Sequence, residues 1–254
     1  MTRQKEDSNN ASDLAAYTLR IGEAVRFDVN RFSRKGFPEI ILGPGKSVSQ
    51  ISEICSALNS AGQPAIVSRI DRTRASALGK FLKEKFGSAV IVKQYYAGMV
   101  LASFPAGWKP QLNNAKFAAA IVTGGTSDVP VAHEVMAVLD SLGYSHDEFL
   151  DCGIAGLHRS VDAAGAIQKG NYCVAIVFAG MEGALSSVMA SLLDIPVIGV
   201  PTSSGYGMGG QGTAALQAML QSCIPGLMVM NIDNGIGAAA AAVSIMRQCR
   251  RCLK

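Results

Sequence analysis

Phe117-Ala-Ala-Ala-Ile-Val-Thr123 runs directly into Gly124-Gly-Thr-Ser-Asp128, and this join of an apolar run to a glycine-rich polar loop decides the fold. The pattern recurs downstream. Apolar runs over 148–152, 172–178, 197–200 and 227–232 lead into Asp151-Cys-Gly-Ile-Ala-Gly156, Ala179-Gly-Met-Glu-Gly183, Pro201-Thr-Ser-Ser-Gly-Tyr-Gly207 and Asn231-Ile-Asp-Asn-Gly-Ile-Gly237. Helical patterns over 127–142, 159–169, 182–193 and 209–221 separate these runs, and a last one covers 237–248. Continuous apolar strands alternating with helices predict a parallel sheet covered on both faces, a doubly wound α/β domain with three αβα layers. Ligands of such sheets bind at the carboxyl ends of the strands. Glycines there let backbone N–H groups approach a ligand, and helix N-termini favour anions. Five such loops in register predict a nucleotide-like or phosphorylated ligand.

Working back from Lys116, the chain reads as a smaller α/β module. Leu14, Tyr17, Ile21 and Val25 recur at helical spacing, so a helix is expected over 13–33. A short strand follows over 39–42, then a helix capped by Ser47, a strand over 65–70, a helix over 72–86 and a strand over 89–95. Pro105, Gly107, Pro110, Asn113 and Asn114 mark 97–114 as a linker or surface hairpin. The polar residues 1–12 are expected to be a disordered tail, 13–115 the N-terminal module with its linker, and 116–254 the doubly wound domain.

Composition narrows the function. The 254 residues are 49% hydrophobic and 17% charged, which suits a folded globular protein. A net charge of +4 is too slight to argue for nucleic acid. The alanine-rich run over 235–245 is too short to span a bilayer, and no membrane partner is expected. The six cysteines follow no signal peptide and form no regular framework, so a cytoplasmic home is expected. Cys249-x-x-Cys252 has redox or metal spacing, but no second pair or nearby histidine completes a site.

The order of the loops resembles the aminoimidazole ribonucleotide carboxylase and mutase family. The resemblance is carried by Thr126-Ser-Asp128, His158-Arg159, Ala179-Gly-Met-Glu-Gly-Ala184, Pro196-Val-Ile-Gly-Val-Pro201 and the alanine-rich last helix. It implies a doubly wound fold assembling as a homo-octamer. Val161 departs from it, standing where that family usually has proline. The N-terminal string from Asp28 through Arg31, Arg34, Gly36 and Gly43 to Lys46, with Ser204-Gly-Tyr-Gly207 and Gln221-Ser-Cys223, is similar to a second family. That family comprises the synthases of pyridinium-3,5-biscarboxylic acid mononucleotide, which act in nickel-pincer cofactor synthesis.

The resemblance implies a reaction on nicotinic acid adenine dinucleotide, with carbon dioxide or bicarbonate as co-substrate and magnesium as cofactor. The pyridinium ring is carboxylated and the pyrophosphate cleaved, releasing AMP. An electron-poor pyridinium carbon does not attack carbon dioxide, whereas a thiolate adduct converts the ring to a nucleophilic enamine. Cys223 matches the nucleophile. Glu182 reads as a base or magnesium-associated carboxylate, against the blander reading of a residue complementing a helix dipole. Asp128 joins them as the third catalytic candidate, against a plain first-turn helix position. Substrate-binding candidates are Thr126, Ser127, His158, Arg159, Gly180, Ser203, Ser204, Gly205, Tyr206, Asp233 and Asn234. Asp233 and Asn234 could equally be turn formers. Arg31, Arg34 and Lys46 are expected to reach a phosphate or the AMP half across a subunit boundary, or else to be exposed charges. Two other functions fit the same sequence: a purine-type aminoimidazole ribonucleotide carboxylase or mutase, and a non-catalytic nucleotide-binding protein.

Overall fold

The computed structural model describes residues 18–21, 25–29, 31–96, 99–108 and 117–252. The tail over 1–12 and much of the expected linker lie outside the described residues. The chain divides into two compact units between Trp108 and Lys109.

In the first unit, β1 (Thr18–Ile21) and β2 (Val25–Asp28) pair antiparallel, with Leu19 opposite Phe27. This corrects the long helix expected over 13–33: among the described residues of that range, helix begins only at Arg31, in α1 (Arg31–Lys35). Ile21 and Val25 satisfy a helical spacing, but burial along β1 alternates with period two, turning Leu19 and Ile21 inward and Thr18 and Arg20 outward. A four-stranded sheet follows in the order β3 (Ile40–Leu42), β4 (Ala65–Ser68), β6 (Val100–Pro105) and β5 (Val90–Tyr95).

Two helices, α2 (Val48–Ser60) and α3 (Arg72–Phe86), pack side by side and bury Ile51, Ile54, Leu58, Leu78 and Leu82 against Val67 and Leu101. Ser47 caps α2 in a reciprocal capping box with Gln50, and Asp71 caps α3. The segment expected to be a linker or surface hairpin supplies β6, which forms a hairpin with β5 but is an inner strand, paired on both sides and buried through Phe104. Beyond it, Trp108 stacks on Phe104 with ring centroids 4.6 Å apart.

The second unit is the doubly wound domain. Five parallel strands lie in the order β11 (Leu227–Val229), β10 (Val197–Pro201), β9 (Tyr172–Ala179), β7 (Ala118–Thr123) and β8 (His146–Phe149). The second strand is centred a few residues earlier than its apolar run suggests. His146-Asp-Glu-Phe149 is a polar edge strand, and its charged middle hid it. Helices α4 (Val129–Leu142) and α8 (Gly235–Cys252) pack together on one face. On the other lie α5 (Leu157–Lys169), α6 (Ala184–Leu192) and α7 (Thr213–Leu220), around Val122, Ala164, Val177, Met189 and Met219.

Ala238, Ala239 and Ala242 are fully buried within their own chain. From β7 the chain moves outward to β8, then returns across β7 to β9 and continues the opposite way. That reversal places a topological switch point between β7 and β9.

Candidate active site

A cleft of about 400 Å³ opens at this switch point, above the carboxyl ends of the strands. Each wall is a strand-end loop: Gly124 to Asp128 after β7, Gly153 to Ala155 after β8, Gly180 to Glu182 after β9, and Ser204 with Tyr206 after β10. Glycine is sterically required here. A Cβ on Gly180 would lie 2.3 Å from Ser204 Oγ, and one on Gly153 would lie 2.5 Å from the Gly124 carbonyl oxygen. The loop after β9 turns tightly, with the Gly183 N–H donating to the Gly180 carbonyl at 2.8 Å. Met181 pays for that turn with φ of 50°, a left-handed conformation that non-glycine residues adopt at a cost. The turn lifts Glu182 to the surface of the cleft, where it makes no hydrogen bond or ion pair among the described residues.

Asp128 is the opposite case. Only 3% exposed, it closes the 3-10 turn Thr126–Asp128 and accepts three hydrogen bonds. Its Oδ2 takes the Gly125 N–H at 2.8 Å, and its Oδ1 takes the hydroxyls of Thr202 at 2.5 Å and Ser204 at 2.7 Å. It therefore ties the loop after β7 to the loop after β10. Thr202 is the residue that sequence reading missed. It sits at the end of an apolar strand, and only the polar step after Pro201 could have marked it.

The other candidates divide clearly. Ser127 and Tyr206 line the cleft beside Asp128, and Gly205 packs behind it, leaving only 2.7 Å between a Cβ there and the Met181 nitrogen. His158 and Arg159 stand over Gly156 at the margin. Arg159 pairs with Asp151 at 2.6 Å, and Asp151 itself has φ of 54°. Asp233 supports the wall from behind, its Oδ1 accepting the Ser203 N–H at 2.9 Å. Asn234 caps α8, accepting the Gly237 N–H, so its oxygen serves the helix. Thr126 and Ser203 are exposed but do not line the cleft.

In the first unit, Arg34 grips Asp28 through two hydrogen bonds and Arg31 lies near both Asp28 and Glu39, so the spacing of this motif builds an ion-pair cluster. Lys46 belongs to a loop whose carbonyls, its own included, accept from Arg74.

Burial sorts the six free thiols. It pushes Cys55 and Cys173 up to about 12 and raises Cys152, and such thiols are poor nucleophiles. Cys152 and Cys173 are core residues. Cys223 is exposed, but it does not line the cleft. It follows α7, between Ser222, whose hydroxyl accepts from Ser187, and Ile224, which packs into the core. The next turn reaches Gly226, whose carbonyl accepts the Val197 N–H at the start of β10. Cys223 thus lies toward the amino ends of the strands.

Asp128 has both oxygens engaged, and no group of three candidate ligands exists among the described residues, so Glu182 is the cleft carboxylate open to a magnesium ion that keeps its waters and accompanies ligand phosphates. None of the described helices is long and apolar enough to cross a membrane.

The comparisons with known proteins follow this division into two units. Residues 118–253 match the AIR carboxylase family, and residues 19–94 match the LarB/PurE-like N-terminal domain. The chain belongs to the LarB-type branch of the AIR carboxylase family. An uncharacterized protein of Methanocaldococcus jannaschii is 36% identical over 236 residues, covering 89% of this chain and 85% of that protein. The N5-carboxyaminoimidazole ribonucleotide mutases of Pyrococcus horikoshii and M. jannaschii are 29% and 33% identical. Each matches 50% of this chain and, respectively, 70% and 76% of its own length. Membership marks the chain as a carboxylase- or mutase-type enzyme.

Proposed function

We propose that this member of the family carboxylates the pyridinium ring of nicotinic acid adenine dinucleotide and hydrolyses its pyrophosphate. The products are pyridinium-3,5-biscarboxylic acid mononucleotide and AMP. The observation that carries this reading is the joining, in one chain, of the LarB/PurE-like N-terminal domain to the AIR carboxylase domain. The mutases match only half of the chain.

The chemistry assigns a task to each group. The Cys223 thiolate adds to a ring carbon next to the carboxylation position, and the ring nitrogen takes up the electron pair. The resulting enamine carbon forms a bond to carbon dioxide. Glu182, uncommitted at the cleft surface, removes the proton from that carbon. The electron pair restores aromaticity and expels the thiolate, so the cysteine is regenerated. Water then cleaves the phosphoanhydride, and magnesium enters only as a companion of the substrate's own phosphates.

Cys223 and Glu182 cannot meet in one chain as folded, so the reading needs a second copy to supply the thiol. Exposed apolar side chains support such assembly. Met181 and Tyr206 line the cleft and Met208 is exposed in the same loop as Tyr206, while Leu220 and Met228 are exposed on the segments before and after Cys223. Joining these unlike surfaces head to tail builds a closed ring, for which a homo-octamer is the proposed form, working in the cytoplasm.

The purine-type carboxylase or mutase is the second reading, favoured by the identity to the two mutases over the second unit. Release of AMP separates the readings. It follows from the dinucleotide reaction alone, and a protein that yields no AMP from the dinucleotide but converts aminoimidazole ribonucleotide belongs to the second.

A further inference from the structure

Thr202 and Ser204 lie 2.9 Å apart, and both hydroxyl oxygens lie within 2.7 Å of the same Asp128 oxygen. Three oxygens so close require a proton on each contact with the carboxylate. An O···O approach of 2.7 Å between two acceptors with no hydrogen between them is repulsive. Each hydroxyl has one proton, and the two shorter contacts, to the charged carboxylate, claim both, so the 2.9 Å approach of the neutral hydroxyls is a packing contact imposed by their shared acceptor. Thr202 is fully buried, with its hydroxyl on this cluster and its backbone N–H on the Ala179 carbonyl, whereas Ser204 lines the cleft. With its single proton held by Asp128, Ser204 Oγ turns only lone pairs toward a ligand.

We propose that Thr202 is a positioning residue that clamps Asp128, and that the clamp makes Ser204 an acceptor-only contact selecting a ligand hydroxyl. A carboxylate and an acceptor-only oxygen side by side repel phosphate and carboxylate groups. This wall therefore takes a neutral donor, such as the hydroxyl of the ribose joined to the reacting ring, and the anionic groups of the ligand lie elsewhere in the cleft. Gly180 completes the arrangement. A Cβ there would meet Ser204 Oγ at 2.3 Å and Thr202 Oγ1 at 3.0 Å, so any side chain breaks the cluster. The ligand assignment rests on the reading that the cleft holds nicotinic acid adenine dinucleotide; the clamp does not.

Two measurements test it. The first needs no substrate. Thr202→Val, which keeps the shape of the side chain and removes the hydroxyl, is compared by thermal unfolding in the native and Asp128→Ala backgrounds. The clamp predicts a fall in Tm at least twice as large in the native background, with Thr202→Ser behaving like the native protein. Equal falls in the two backgrounds overturn the clamp.

The second measures binding and turnover of nicotinic acid adenine dinucleotide and of analogues lacking the 2′- or 3′-hydroxyl of the nicotinate ribose. One deoxy analogue should lose about 10-fold or more in kcat/KM with the native protein, the penalty for leaving a built acceptor unpaired, and far less with Ser204→Ala. Thr202→Val should reduce that discrimination and Thr202→Ser restore it, which a merely structural role would not do. Equal deoxy penalties with and without Ser204 overturn the acceptor role. If the dinucleotide neither binds nor reacts while the unfolding cycle shows coupling, the substrate reading fails and the clamp stands.

Discussion

Cys223 and Glu182 lie at opposite ends of one five-stranded sheet. Glu182 follows the carboxyl end of β9, while Cys223 precedes the turn whose Gly226 carbonyl meets the amino end of β10. The four residue steps of β10 from Val197 to Pro201 span about 13 Å. The first consequence is complementation. Cys223→Ser and Glu182→Gln should each be inactive alone, yet assemblies mixed from the two should regain activity, because a native thiol from one copy meets a native carboxylate in another. Activity of co-expressed variants, with the mass of the mixed assembly measured by light scattering, checks this. No recovery in a demonstrably mixed assembly argues against a shared site.

The second prediction concerns which thiol acts. Cys223→Ser should abolish carboxylation while leaving circular dichroism and dinucleotide binding unchanged, since an alkoxide is a poor leaving group and a serine hydroxyl is barely ionised near neutral pH. Cys249→Ser and Cys252→Ser serve as controls and should keep near-native rates. Intact-mass spectrometry of the native protein with NAD should reveal an adduct at Cys223, and its absence from Cys223→Ser completes the check.

Much of this site was legible in the sequence because its parts are loops that end uninterrupted apolar strands. Gly124 to Asp128, Gly180 to Glu182 and Ser204 to Tyr206 all announce themselves by composition, and the fold brings them to one cleft. Pairings were not legible. Arg159 with Asp151, Arg34 with Asp28 and Asn234 with Gly237 are local contacts that consume residues which read as ligand contacts. Thr202 with Asp128 spans 74 positions and no local pattern reports it. In the first unit, local spacing and punctuation mask the pairing: the β1–β2 hairpin reads as a helix, and Pro105 and Gly107 hide that the hairpin β5–β6 carries an inner, buried strand.

Gly180→Ala tests the crowding at the base of the cleft. The new methyl group would overlap Ser204 Oγ and expel it from Asp128. Overpacking of this kind costs about 1–3 kcal/mol, so chemical denaturation should show a moderate loss of stability. Turnover should fall further than stability implies, because the Asp128 cluster is displaced even in molecules that remain folded. Native kinetics in that variant would contradict the described packing.

Asp28 gives a pH dependence that belongs to the first unit. The hydrogen bond from Arg34 holds its carboxyl below the usual 3.8, opposed by burial and assisted by the charges of Arg34 and Arg31. A carboxyl whose folded value is depressed stabilises the fold above its unfolded value, and that contribution is lost as pH falls through the folded value. Stability should therefore drop below about pH 4, by an amount within about 1 kcal/mol for so exposed a pair. Urea unfolding of Arg34→Gln from pH 5 downward should show a shallower decline than the native protein.

The most direct measurement is the mass spectrum of the product formed from nicotinic acid adenine dinucleotide and ¹³C-bicarbonate. The predicted result is a mononucleotide carrying two ring carboxylates, one of them labelled, formed together with AMP. A product that carries label only when aminoimidazole ribonucleotide is supplied, with the dinucleotide left intact, would contradict the proposed reaction and assign the cleft to purine-type chemistry.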